Sequence, residues 1–159
     1  EKGCTLPGFM GDIGYAQSNR ERYEGFCQAL MDAGKTPNPS LCLTTPLGID
    51  SYREEIDSFL SSLSRMPDAF VCASDYVACI LMQLLEKRGL RVPEDVAVSG
   101  FDNNIEDLLA ENLTTVQVFN EELGSRLALQ ILYRIKYPHT PHEVTYLESK
   151  VLYRASTGD

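Results

Sequence analysis

Arg22 and Asp102 are the side chains of this sequence best suited to hold a small polar molecule. Arg22 lies near the start of a predicted helix, after a loop at residues 11–17, and Asp102 follows Gly100 and Phe101. A guanidinium offers five hydrogen-bond donors in a rigid fork, which suits vicinal hydroxyls or a carboxylate. The alternatives are a solvent-facing or structurally paired arginine, and a turn aspartate bonded to its own backbone.

A second acid, Asp75, follows an apolar run at residues 69–72 and directly precedes a predicted helix. Its alternative role is an N-cap, and Ser74 is expected either to share that cap or to face the ligand crevice. Open α/β sheets bind their ligands in the crevice at the carboxyl ends of the strands. We therefore expect Arg22 and Asp102 at one sheet edge, either holding one ligand or pairing with each other.

Strand-like and helix-like segments alternate along the chain. Apolar runs at residues 69–72 and 96–99 predict buried strands, and the periodic segments 18–33, 50–64 and 76–88 predict amphipathic helices. Helices between successive strands imply crossover connections, and hence a mostly parallel sheet covered on both faces. The predicted fold class is α/β, a doubly wound and mostly parallel sheet.

The other segments give weaker patterns. A first strand near residues 4–10 is uncertain because Pro7 and Gly8 interrupt it. The remaining predictions are a short strand at 41–44, a short helix at 105–110, an extended segment at 113–119, a long helix at 121–136 and a last strand within 144–153.

Composition excludes several classes of function. The 159 residues carry a formal net charge of −9, and no cluster of Lys or Arg offsets it. Direct contact with a phosphate backbone needs several cations on one face, so we exclude DNA or RNA binding by this chain itself. No run is long and apolar enough to span a membrane, and no signal peptide is visible. The length suits one domain, or one domain with an appendage.

The five cysteines have no C-x-x-C spacing, and three of them lie within apolar patterns. We interpret them as reduced thiols that act as small hydrophobic side chains, which favours a reducing, cytoplasmic location. The sequence begins without Met, which favours a piece of a longer protein.

The sequence contains no set of residues that predicts catalysis or metal binding. The only histidines, His139 and His142, flank Pro141 in a predicted loop without a locally spaced acid or cysteine. No nucleophile elbow, phosphate-binding loop or dinucleotide fingerprint is present. We therefore expect neither an enzyme nor a metal or cofactor site.

Five motifs together resemble the effector-binding domain of the LacI family of transcriptional regulators. In chain order they are Ser-Asn-Arg-Glu-Arg-Tyr-Glu-Gly-Phe at 18–26, Ala-Ser-Asp-Tyr-Val-Ala at 73–78, Gly-Leu-Arg-Val-Pro-Glu-Asp-Val-Ala-Val-Ser-Gly-Phe-Asp-Asn at 89–103, Leu-Thr-Thr-Val at 113–116 and Arg-Ala-Ser-Thr at 154–157. Each motif alone is weak, whereas their order over nearly the whole chain is specific.

The resemblance implies a two-lobed domain similar to periplasmic sugar-binding proteins, with an effector, usually a sugar or related metabolite, between the lobes. Arg22 matches the arginine that grips the effector, and Asp102 matches the acid that binds its hydroxyls. Ser74 stands where the family often has Asn, and Asp75 matches an acid that supports the framework. Phe119 is expected to form a wall of the site, and a side chain within 49–52 to close it.

The resemblance also implies a division of the chain. Residues 1–116 match the second lobe, and 117–159 match a segment that returns to a first lobe, which is mostly missing here. The family binds operator DNA through an N-terminal helix-turn-helix domain, which this chain lacks. Helix 121–136 would then have an uncovered apolar stripe, so we expect a homodimer or a swapped arrangement. The alternatives are a periplasmic sugar-binding protein of a transporter and, more remotely, a flavodoxin-like enzyme.

Overall fold

The computed structural model describes residues 3–48, 50–104 and 111–158. Four strands form a parallel sheet in the order β2-β1-β3-β4, so the predicted parallel α/β sheet is confirmed. The strands are β1 (Pro7–Met10), β2 (Cys42–Leu43), β3 (Ala69–Cys72) and β4 (Ala97–Ser99). Their shared direction places all four carboxyl ends at one side of the sheet, called the carboxyl edge below.

Three helices connect these strands and cover both faces of the sheet, as predicted. They are α1 (Gln17–Asp32), α2 (Tyr52–Ser62) and α3 (Asp75–Lys87). Successive side chains of a strand point to opposite faces. Phe9 of β1 accordingly packs with Phe26 of α1, whereas the next residue, Met10, belongs to the core formed with α2 and α3.

The C-terminal third of the chain forms a smaller unit. It contains an antiparallel pair of strands, β5 (Thr115–Gln117) and β6 (Lys150–Leu152), joined through the long helix α4 (Asn120–Lys136). Isolated parallel bridges connect Ser99 to Thr114 and Asp102 to Gln117, so β5 continues the direction of β4. These elements agree with the predicted extended segment, long helix and last strand.

The last described residues return to the four-stranded sheet. The short 3-10 turn Ala155–Thr157 places the buried Ser156 against β4, where its hydroxyl donates to the carbonyl of Val98 at 2.6 Å. The same hydroxyl accepts a hydrogen bond of 2.7 Å from the backbone N–H of Thr114. The final segment therefore joins β4 to the chain that leads into β5.

Two further sequence predictions have separate outcomes. The short helix predicted at residues 105–110 lies outside the described residues.

None of the five cysteines forms a disulfide, and Cys72 and Cys79 are buried in the core. Within the ranges that the structure describes, no helix has the length and apolar character needed to cross a membrane.

Candidate functional site

The structure brings Arg22 and Asp102 together at the carboxyl edge. Nη2 of Arg22 lies 3.4 Å from Oδ1 of Asp102. The first side chain comes from α1 and the second from the turn after β4, so helix and turn approach the site from different parts of the fold. Both side chains keep part of their surface exposed, 21% for Arg22 and 27% for Asp102, which leaves them accessible to a ligand.

The guanidinium of Arg22 is held by several partners besides Asp102, among them Oδ1 of Asn19 at 3.5 Å. Nη1 donates to the backbone carbonyl of Ala73, in the loop after β3. The guanidinium carbon lies 3.6 Å from the centre of the Phe101 ring, a cation–π contact. Together with Asp102 these contacts tie α1 to the ends of β3 and β4. The donor fork of Arg22 is therefore oriented before any ligand arrives.

Burial and the attraction between Arg22 and Asp102 shift the pKa values of the two side chains in opposite directions. Burial lowers the pKa of Arg22, while the negative charges of Asp102 and Asp75 counteract that effect. Burial likewise raises the pKa of Asp102, and Asp75 raises it further, although Arg22 opposes both. The acid of the pair is consequently easier to protonate than an ordinary aspartate.

The turn that presents Asp102 has an uncommon backbone. Asp102 has φ of 108° and Asn103 has φ of 50°, a region that residues other than glycine seldom adopt and that costs about 1–3 kcal/mol. The Asn103 amide donates to Oε1 of Gln117 at 2.6 Å and accepts from Arg154 at 2.8 Å. The backbone N–H of Asp102 donates to the carbonyl of Val116 at 3.0 Å. These contacts hold the turn in place against its conformational cost.

Ser74 and Asp75 lie at the start of α3, next to the site. Ser74 is the N-cap of α3, because its hydroxyl accepts a hydrogen bond from the N–H of Val77 at 3.4 Å. Asp75 is 2% exposed, and its carboxylate accepts a 2.6 Å hydrogen bond from the hydroxyl of Thr115. Backbone N–H groups of the turn that follows β4 also donate to this carboxylate. Asp75 therefore braces the turn that carries Asp102.

Gly100 permits this close packing. A Cβ at this position would collide with the carboxylate of Asp75 and lie 2.9 Å from a methyl carbon of Leu113. Only a residue without a side chain lets the end of β4 pass so near the start of α3.

Phe119 lies further along the chain from the ion pair. It occupies the N-cap position of α4 with 48% of its surface exposed. It lines a hollow of about 520 Å³ together with Asn103 and Gln117. The structure thus places Phe119 near the turn of Asp102, while its role as a wall of the site stays a prediction.

Sequence reasoning missed several residues at the same edge. Asp12, after β1, accepts hydrogen bonds from the N–H groups of Gly14 and Tyr15 at 2.7 and 3.1 Å. Its second oxygen lies 3.4 Å from the N–H of Leu47, in the loop that leads towards α2. The carboxylate therefore fastens together two loops at the carboxyl edge. An aspartate between Gly11 and Gly14, just after a strand, was the available signal for such a turn.

Three tyrosines, which we call the tyrosine cluster, also lie at this edge: Tyr15 after β1, Tyr52 at the start of α2 and Tyr76 at the start of α3. The rings of Tyr52 and Tyr76 meet edge to face, with 5.6 Å between their centres. Tyr15 and Tyr76 are 77% and 54% exposed. Tyr52 falls within the segment 49–52 that was expected to supply a closing side chain, whereas Ile49 lies outside the described residues.

An apolar hollow of about 550 Å³ lies beside this edge, over the face of the sheet. Arg22 and Phe101 stand at its border, and its lining is formed largely by small and aliphatic side chains of β3 to β6, among them Val71, Ala97 and Val151. Such a lining suits apolar side chains better than a hydroxyl-rich ligand.

The sequence profile of the periplasmic binding protein-like domain matches residues 1–157. The chain belongs to this family. Among curated relatives, the transcriptional regulator DegA of Bacillus subtilis is 34% identical over 117 residues, which are 73% of this chain and 34% of DegA. The ribose operon repressor of Haemophilus influenzae is 30% identical over 138 residues, which are 86% of this chain and 41% of that repressor.

Solved structures of transcriptional regulators are also similar to this chain. A LacI-family transcriptional regulator from Sanguibacter keddieii has a TM-score of 0.84 and 27% identity, covering 99% of this chain and 60% of that one. The regulator CelR, solved with cellobiose, has the same TM-score and identity, covering 97% of this chain and 47% of CelR.

These relatives confirm the resemblance to LacI-type regulators and the periplasmic-binding-protein-like fold. They are transcriptional regulators, not enzymes. The chain spans less than half the length of the curated relatives described above. The activity of a whole regulator therefore belongs to the proposal that follows.

Proposed function

We propose that this chain is the effector-sensing part of a LacI-type transcriptional regulator, and that its effector is a carbohydrate or a related small metabolite. The observation that carries the proposal is the pairing of Arg22 with Asp102 at the carboxyl edge. Both groups are oriented by backbone contacts and both remain partly exposed. A site of this kind offers a charged donor and a charged acceptor to vicinal hydroxyls.

Ligand binding would replace the Arg22–Asp102 contact in part. At 3.4 Å this contact is long for a charge-assisted hydrogen bond, which commonly measures 2.7–2.9 Å. A hydroxyl pair inserted between the two groups would donate to the carboxylate and accept from the guanidinium. Because Ala73 and Phe101 hold Arg22, the donor fork would stay in position during this exchange.

The regulatory step in this proposal is a population shift between arrangements of two lobes. Residues 1–116 would belong to the second lobe, and 117–159 would include the return to a first lobe. An effector shifts such an equilibrium only by its difference in affinity for the two arrangements. Operator DNA would be contacted by a helix-turn-helix domain elsewhere in a cytoplasmic regulator, since this chain has a net charge of −9.

A periplasmic sugar-binding protein shares this architecture, and the fold alone does not separate the two functions. The relatives favour the regulator, because DegA and the ribose operon repressor control transcription. The absence of disulfides among five cysteines agrees with the reducing interior of a cell.

The test is the replacement Asp102→Ala in the whole regulator, with operator binding measured against rising concentrations of neutral sugars. We expect the variant to bind the operator normally and to need at least about tenfold more sugar, since losing one charged hydrogen bond costs about 1.5–3 kcal/mol. Asp95→Ala is the control, because Asp95 is a surface carboxylate paired with Arg91. An unchanged sugar response in Asp102→Ala would refute the assignment of the site.

A further inference from the structure

The apolar hollow lies on the face of the sheet that α1 covers only in part. Phe26 of α1 belongs to one cluster with Phe9 and Val71 on this face. Ala69, Val71 and Ala97 point to the same face by their strand register, and they line the hollow beside α1. Parallel sheets normally have helices over both faces. The hollow therefore lies where a second helix would complete the layer.

The two faces of the sheet differ in exposure accordingly. Phe70, Cys72 and Val98 point to the face under α2 and α3, and each is at most 2% exposed. Ala69 and Val71 point to the hollow, and both remain partly exposed. The strands that line the hollow thus keep apolar surface in contact with water.

Helix α4 carries a second apolar surface that lacks a partner. None of its residues, all of which are described, is buried. Its apolar stripe consists of five aliphatic side chains, each at least 48% exposed: Leu123, Leu127, Ile131, Leu132 and Ile135. None of the described residues that line the hollow belongs to α4. The chain therefore contains a helix without a sheet and a sheet face without a helix.

The stripe and the hollow have similar lengths. From Leu123 to Ile135 an α-helix rises about 18 Å. The four residues of β3 span about 13 Å. The hollow continues past both ends of the strand, from Cys4, which precedes β1, to Phe101, which follows β4. One helix face of this length can therefore fill the hollow.

The buried area favours a helix in the hollow over a pair of helices. Full burial of an aliphatic side chain removes about 60–120 Å² of apolar surface, so the stripe offers about 300–600 Å². Two helices in two hollows would bury two stripes and two sheet surfaces of similar size, in total about 1,200–2,400 Å². Pairing of α4 with α4 would bury only half as much. Since specific interfaces bury about 1,200–2,000 Å², helix pairing reaches at most the lower end of that range.

Charge also favours contact between α4 of one copy and the body of another. Three basic and two acidic residues give α4 a net charge of +1. Because the whole chain has a net charge of −9, the rest of it carries −10. Arg22, at the border, is the only charged side chain among the described residues of the lining. Docking would therefore bring opposite net charges together without burying a row of charged groups.

We propose that two copies of this chain exchange their α4 helices, with the apolar stripe of each copy filling the hollow of the other. The exchange is reciprocal, so the contact closes after two copies and gives a two-fold symmetric dimer. The docked helix completes the helical layer beside α1 in each copy. The proposal does not depend on an effector, so its failure would leave the proposed function untouched.

Cys4 reports on the hollow, because it lines the hollow and is only partly buried. Alkylation of the unaltered chain with N-ethylmaleimide, followed by peptide mass spectrometry, gives a rate for each cysteine. We expect the rate at Cys4 to fall at least about tenfold between monomeric and fully associated solutions, because only the unassociated fraction reacts. Cys42 is the internal control, since it is also partly buried and does not line the hollow. A Cys4 rate that is independent of protein concentration would overturn the proposal.

Introduced cysteines identify the contact itself. Leu123→Cys and Ile135→Cys place a thiol at either end of the stripe, whereas Glu122→Cys places one on the opposite face, where Glu122 pairs with Arg126. On oxidation by glutathione disulfide, we expect one stripe variant to form a disulfide with Cys4 of a second copy, which also gives the direction of the docked helix. Glu122→Cys should form none with Cys4. Disulfides only between two introduced cysteines would show that α4 pairs with α4, and would overturn docking in the hollow.

Val151→Lys tests the hollow without changing α4. Val151 lines the hollow and is 46% exposed, so a lysine there would have to be desolvated on docking. In sedimentation velocity, association should shift to at least about tenfold higher concentration. Val144→Lys is the matched control, since Val144 is 75% exposed and does not line the hollow. Unchanged association of a Val151→Lys variant that is folded by circular dichroism would count against the hollow, and if the variant does not fold, the alkylation of Cys4 decides.

Discussion

The surroundings of Asp102 partly disfavour the negative charge of its carboxylate. Burial and the nearby Asp75 raise its pKa, and Arg22 opposes that rise. A deprotonated carboxylate accepts hydrogen bonds from two ligand hydroxyls, whereas protonation removes one acceptor and the attraction to Arg22. Sugar affinity should therefore fall as the pH is lowered, with a midpoint above the ordinary aspartate value of about 3.9.

The measurement is a series of sugar titrations between pH 7 and about pH 4. Asp102→Asn should bind more weakly at neutral pH and lose this dependence, because its amide does not titrate. Asp95→Asn should keep the dependence, since the pKa of Asp95 is lowered to about 2 by hydrogen bonds from Arg91. A pH profile that is the same in Asp102→Asn and in the unaltered chain would show that another group controls binding.

Residue type and position predicted both side chains, because Asp102 closely follows the end of β4 and Arg22 lies near the start of the helix that follows β1. Strand ends of a parallel sheet share an edge, so their proximity follows from the fold class. Asp75 met the same criterion, yet it turned inward to hold the turn of Asp102. Tyr15 escaped prediction, and Tyr52 was predicted only as one of the residues 49–52, since loop paths rather than strand ends place them.

At the scale of elements, β3 matches its predicted bounds while β1 was the least certain strand. Pro7 is tolerated there because it begins the strand. Gly8 is needed because a Cβ would collide with the carbonyl of Leu41 and lie 2.8 Å from the ring of Phe70. Pro7 and Gly8 weaken the strand pattern in the sequence, yet they allow β1 to pack between its neighbouring strands. Only the tertiary packing shows this.

Helix α4 carries an apolar stripe without a buried residue. The stripe consists of Leu123, Leu127, Ile131, Leu132 and Ile135, each of them at least 48% exposed. Soluble monomers seldom expose a contiguous apolar surface of this kind. We therefore expect the 159-residue chain to self-associate through this stripe at high concentration.

Sedimentation velocity over a range of concentrations measures this association. The double variant Leu127→Lys and Ile131→Lys should sediment as a monomer, because two charges within the stripe would have to be desolvated on association. Glu122→Lys is the control, since Glu122 lies on the opposite face of the same helix, where it pairs with Arg126. A monomeric mass for the unaltered chain at every concentration would refute the expectation.

At the scale of the whole molecule, the described residues form one parallel sheet unit whose carboxyl edge is open, joined to the small β5–β6 unit. The relatives are longer, and the solved LacI-type structures extend well beyond the part that this chain matches. Binding sites for small molecules commonly bury 70–90% of the ligand surface. An open edge offers contacts from one side only, so water keeps access to the rest of the ligand.

The 159-residue chain should consequently bind its carbohydrate much more weakly than the whole regulator does. If the first lobe supplies about half of the contacts, its absence should weaken binding at least about hundredfold, a loss of about 2.8 kcal/mol. Calorimetry on both proteins with the same sugar measures the difference. Asp102→Asn should weaken both, because the ion pair belongs to the part they share. Equal affinities would mean that the open edge is the complete site, and that lobe closure contributes nothing to the affinity for the effector.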